Sequence, residues 1–166
     1  MRALDIANMF IQRYAECQIT NLKLNKLVFL AQEEALCQDG SPLFDDEIEA
    51  WQFGPVVPSV YHAFKSYGRA PIACPSGSVP KDVRAERIVD ATAEKYARLT
   101  AFDLVNITHA EGGAWSKAYS PDADNVITLE SIATSKRARP TPRTLAGGIN
   151  AVEEKWPNAL RILETA

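Results

Sequence analysis

Leu4, Ala7, Phe10, Ile11 and Tyr14 recur at three- and four-residue steps, one apolar stripe that predicts a helix over about Arg2–Glu16. After a break at Gln18–Ile19, Thr20 or Asn21 can cap a second helix, because a short side-chain oxygen can accept one of its first free N–H groups. That helix runs to about Gln38. Leu24, Leu27, Val28, Ala31 and Ala35 share a face that Leu22, Phe29, Leu30 and Leu36 broaden, so it is expected to be central and largely buried. Gly40 suits the left-handed residue that ends it.

The period then changes. Pro42 opens an acidic loop, and Ile48 to Phe53 alternates well enough for one short strand. Gly54-Pro55 predicts a turn, and Pro58 fits the first turn of a third helix, where a missing N–H is harmless. Val60, Tyr61, Phe64 and Tyr67 give that helix its apolar face, and Gly68 closes it. Arg69–Pro80 reads as an exposed loop. A helix over about Lys81–Leu99 should turn Ile88, Val89, Tyr96 and Leu99 inward; Thr100 with Asp103 caps another that ends near Gly112-Gly113. Ala114–Tyr119 fits one helical turn, Thr128 caps a short helix through about Lys136, and a last helical stretch surrounds Trp156–Leu163. The expected fold is mainly α, a compact domain of about six to eight helices with one small β element near residues 47–53.

Composition narrows the classes. The 166 residues suit one domain, and 46% apolar with 23% charged residues is globular rather than disordered. A net charge of −3 makes a dedicated nucleic-acid binder unlike this chain, which lacks an overall basic character. Neither a secretory leader nor a membrane-length apolar run is present, so a cytoplasmic protein is expected. Cys17, Cys37 and Cys74 are odd in number and contain no C-x-x-C pair, which predicts neither a disulfide framework nor a zinc site. His62 and His109 have no metal-ligand spacing, and neither a G-x-S-x-G elbow nor a Walker-type loop occurs. Gly112-Gly113 and Gly147-Gly148 lack the strand–glycine–helix context of a phosphate cradle. No catalytic residue, metal or cofactor is expected, and the protein is read as a non-enzyme that holds another protein.

Trp51-Gln52-Phe53-Gly54-Pro55-Val56-Val57-Pro58 is the most informative string. As structure it is a rigid corner, with one of Trp51 and Phe53 turned into the core by strand alternation. As function it is a partner surface, since exposed aromatics bury large area with few rotors. The candidate partner-binding residues are Trp51, Phe53, Gly54, Pro55, Val56 and Tyr61, with His109 and Trp115; His109 is expected to be buried and bonded to the loop around Trp115. Lys136, Arg137, Arg139 and Arg143 form a basic run that reads as a solvated loop or a contact for nucleic acid or an acidic partner. The first fifty residues hold four Lys/Arg against nine Asp/Glu, an asymmetry that could steer a basic partner.

Three blocks in order carry a family resemblance: Ile19 to Gln32 (ITNLKLNKLVFLAQ); Phe44, then Ile48 to Tyr61 (IEAWQFGPVVPSVY); and Leu104 to His109 (LVNITH), then Trp115 to Tyr119 (WSKAY). Together they resemble the Panacea domain, the SocA-like family that includes phage-associated GepA-type proteins, over roughly Leu4 to Ser135. The chain departs from the family pattern at Glu111-Gly112-Gly113-Ala114, where an acidic–small–Pro run commonly precedes the tryptophan. The resemblance implies a Panacea domain over 1–136, with 137–166 a basic, proline-containing segment and C-terminal helix packed on or extending it. It further implies the antitoxin of a bacterial or prophage pair that neutralises a cognate toxin by direct binding, with no membrane partner and self-association left open. One branch of the family delivers its toxin to a cellular protease, so the alternative is an adaptor, or a DNA-binding regulator, without neutralisation.

Overall fold

The computed structural model describes residues 1–121 and 125–135. Among them the chain forms seven α-helices and one two-stranded sheet: α1 (Ala3–Arg13), α2 (Asn21–Asp39), β1 (Glu49–Trp51), β2 (Gly54–Val56), α3 (Pro58–Phe64), α4 (Val83–Tyr96), α5 (Ala101–Thr108), α6 (Ala114–Ala118) and α7 (Leu129–Thr134). Short 3₁₀ turns, Ala15–Cys17 and Lys65–Tyr67, follow α1 and α3. The mainly helical class holds, as do most helix starts and stops. The Thr20 hydroxyl accepts from Lys23 N–H, and Gly40 at φ 66° donates to Leu36 O at 3.1 Å, so α2 is closed at both ends. Thr100 and Asp103 form the reciprocal cap of α5, Thr128 caps α7, and Pro58 sits in the first turn of α3.

The axis of the fold is α2. It packs against α1, α3, α4, α5, α7 and β2, and Leu24, Leu27, Val28, Ala31 and Ala35 are wholly enclosed. The core around them includes Ile6 and Phe10 from α1, Val60 and Phe64 from α3, Ile88 and Val89 from α4, and Leu104 from α5. Burial of each such aliphatic or aromatic side chain contributes about 1.5–3 kcal/mol. The far end of α2 is fastened to α4: Arg84 and Arg87 both pair with Asp39, and Arg84 also donates to Ser41 O and Pro42 O beyond the last turn.

Three expectations are corrected. The chain reverses at Gln52–Phe53, not at Gly54-Pro55; Gly54–Val56 is a second strand, antiparallel to β1 in the register Glu49↔Val56, Ala50↔Pro55, Trp51↔Gly54. The inward residue of β1 is Ala50, whereas Trp51 and Phe53 are both half-buried. Helix α5 ends at Thr108, earlier than Gly112-Gly113: the Thr108 hydroxyl donates back to Leu104 O and Val105 O, and His109 already has left helical geometry. The Trp156–Leu163 helix, the Lys136–Arg143 run and Gly147-Gly148 lie outside the described residues.

Candidate functional site

The second strand exists because α2 side chains complete its backbone hydrogen bonds. Ala50 N–H is committed to Asn125 O at 2.6 Å on the opposite edge, so Ala50 and Pro55 face each other without exchanging bonds. Pro55 therefore loses nothing by lacking an N–H, and its carbonyl points away from β1. Lys26 Nζ donates to that carbonyl at 2.9 Å. One step on, Val57 N–H donates to Asn25 Oδ1 at 3.0 Å, while the Asn25 amide donates to Asn21 O and Oδ1. Asn21 donates in turn to Tyr61 O at 3.0 Å, tying α2 to α3. Further along α2, Gln32 accepts from Leu43 N–H and Phe44 N–H and donates to Phe44 O, fixing the entry to the hairpin. Each of these polar side chains is buried, and each is matched to backbone groups that would otherwise be orphaned.

Lys26 is wholly enclosed, and burial pushes its ammonium down to about 7 because the charged form has lost its water. Gly54, at φ 102°, lies against it: a Cβ there would come within 2.7 Å of Lys26 Cε and 3.1 Å of His109 Nε2. The glycine is thus required twice, by its backbone angle and by the closeness of two side chains. His109 stacks on Trp115 with centroids 3.5 Å apart and planes 5° from parallel, and Trp115 stacks on Tyr119 at 4.7 Å. Trp115 Nε1–H donates to Trp51 O at 2.8 Å, so the α5–α6 stack holds the hairpin from below.

Above this support lies the aromatic surface. Trp51 and Tyr61 meet edge to face with centroids 4.9 Å apart, and the exposed His62 ring lies 5.3 Å from Tyr61. Trp51 Nε1–H donates to the Glu49 carboxylate two residues back on the same strand face. On the other edge of β1, Val126 pairs with Glu49, and Ile127 N–H donates to Ile48 O at 2.8 Å. The hairpin is hemmed on both sides.

Of the eight sequence-predicted residues, only Trp51, Phe53 and Tyr61 reach the surface appreciably. Gly54, Pro55, Val56, His109 and Trp115 are buried beneath the corner. Sequence reasoning missed Asn21, Asn25, Lys26 and Gln32. Their signal was present: Asn21, Asn25 and Gln32, spaced by four and seven, make a polar stripe flanked by the apolar Val28 and Ala35 on one side and Phe29 and Leu36 on the other. A polar stripe in so enclosed a helix must find partners inside the protein.

The arrangement can present a rigid surface. Among the described residues no set of three metal-binding side chains comes together, and no helix is long and apolar enough to cross a membrane. Fold and site define a helical scaffold displaying one aromatic corner. A family model described as "Antitoxin SocA-like, Panacea domain" matches residues 24–78, the span from Leu24 on α2 through the hairpin and α3 into the following loop. The chain is 33% identical over 127 residues to Antitoxin SocA of Caulobacter vibrioides (strain NA1000 / CB15N), covering 68% of each protein. No solved structure matches it. The chain belongs to the SocA-like Panacea family of antitoxins.

Proposed function

We propose that this protein is the antitoxin of a toxin–antitoxin pair and neutralises its cognate toxin by direct binding at the Trp51–Phe53–Tyr61 corner. Family membership supports the antitoxin role. The observation that carries the choice of surface is the contrast between support and display. Half-buried Trp51 and Phe53 sit on a hairpin whose backbone is fixed by Lys26, Asn25 and Trp115, and half-buried Tyr61 meets Trp51 from α3, so docking there costs little ordering entropy. The protein acts by occupancy and not by turnover, in keeping with its family. In this reading residues 1–136 are the antitoxin domain, with 137–166 packed on or extending it.

Co-expression with the product of the adjacent open reading frame tests this. Growth arrest by that product, relieved by this chain and accompanied by a co-purified complex, is the expected result. Arrest that persists while both proteins accumulate in soluble form would overturn it.

A further inference from the structure

We infer that the Trp51–Tyr61 corner is an arginine-receiving site, and that the partner segment seated on it presents a guanidinium to the aromatic pair and the Glu49 carboxylate. This deepens the proposed function and rests on its choice of surface. From Ser41 to Tyr61 the chain carries Asp45, Asp46, Glu47 and Glu49 and neither a lysine nor an arginine. The basic residues before this stretch are already committed. Lys23 and Lys26 are buried on the carbonyls of Cys17 and Pro55, Arg2 pairs with Asp5, and Arg13 pairs with Asp90 and Glu86. None of the ion pairs among the described residues includes any of the four carboxylates. Asp46 is held by Ala3 N–H and the Ser59 hydroxyl; the first cation beyond the corner is the exposed Lys65, a turn past Tyr61.

Charge alone would not choose a ligand; the geometry does. Strand alternation puts Glu49 and Trp51 on one face, and the indole N–H anchors the carboxylate beside the ring. That single bond leaves most of the carboxylate's acceptor capacity open. Tyr61 stands edge to face against the same indole, giving two aromatic walls next to one oriented anion. A planar guanidinium can lie on an aromatic face while its fork donates to a carboxylate, which a compact ammonium does less well and an apolar side chain not at all.

The test follows indole N–H resonances of the full-length protein by NMR while N-acetyl-Gly-Arg-Gly-amide is added, with the citrulline peptide as its neutral, near-isosteric control. The arginine peptide is expected to give a saturable shift of the Trp51 indole. The citrulline peptide should bind at least about tenfold more weakly, and Glu49→Gln should reduce arginine binding by a similar factor, the size of one charge-assisted contact. Equal shifts with both peptides, or unchanged binding in Glu49→Gln, would overturn the inference. A toxin complex weakened by Trp51→Ala but indifferent to Glu49→Gln would retain the docking corner and reject the arginine site. Arginine binding alongside a toxin complex indifferent to Trp51→Ala would retain the site and reject the corner as the toxin's dock.

Discussion

Replacing Lys26 by methionine removes a buried amine from beneath the hairpin at nearly constant volume. In the unfolded chain that amine titrates near 10.5, and in the folded protein burial lowers it to about 7. Between these values the unfolded state binds the proton more readily, so the amine's contribution to stability rises with pH. At 1.36 kcal/mol per pKa unit, burying Lys26 costs about 4 kcal/mol at pH 7 and only about 1 kcal/mol at pH 10. Methionine escapes that cost but leaves Pro55 O without its donor, a loss of about 1–3 kcal/mol at any pH. Lys26→Met should therefore be more stable than wild type at pH 7 by roughly 1–3 kcal/mol, and no more stable, or less so, at pH 10. Urea unfolding of both proteins, followed by far-ultraviolet circular dichroism at pH 7, 8, 9 and 10, gives the difference directly. Groups common to both proteins cancel. A stability difference that stays constant across this range would refute the reading of Lys26 as a desolvated amine that is half-neutral near pH 7.

Other substitutions probe the rest of the support. Gly54→Ala should destabilise by at least about 2 kcal/mol in thermal unfolding, since it combines an unfavourable backbone angle with the close Lys26 Cε. Lys26→Ala should recover part of that loss in a double-mutant cycle, and strict additivity would show that the two residues do not compete for space. Trp115→Phe keeps the stack on His109 but removes the indole donor from Trp51 O, which retains its partner across the hairpin; a loss of about 0.5–1.5 kcal/mol in urea unfolding is expected. Gln32→Leu strands Leu43 N–H and Phe44 N–H in the core and should cost about 2–4 kcal/mol, with hydrogen exchange at those two amides rising above that of the α2 backbone.

The helices were legible because their signals are local. Apolar spacing marked α1, α2 and α4, and single residues marked their ends: Thr20, Gly40, Pro58, Thr100 with Asp103, and Thr128. The hairpin was half legible. Strand alternation picked out the segment around Glu49–Trp51, but Gly54-Pro55-Val56 reads as a turn on local grounds. It becomes a strand because Lys26 and Asn25, about thirty positions earlier, satisfy the backbone groups that a further strand would otherwise pair. That is a long-range cause that leaves no local trace. The same holds for the corner itself. Alternation predicted one buried and one exposed aromatic, whereas the turn at Gln52–Phe53 takes Phe53 out of the strand and leaves Trp51 resting on Tyr61. The polar stripe of α2 explains why the Trp51–Tyr61 corner is rigid.

In the proposed function the half-buried aromatics of this corner hold the toxin. Its most direct test is the dissociation constant between the purified toxin from the adjacent reading frame and this protein, compared with that of Trp51→Ala/Tyr61→Ala. Circular dichroism and thermal unfolding of the variant should first confirm that it is folded. Two interface anchors of about 2 kcal/mol or more each imply a weakening of several hundredfold or greater, with growth no longer restored. A folded double variant that binds the toxin as tightly as wild type and still restores growth would contradict the claim.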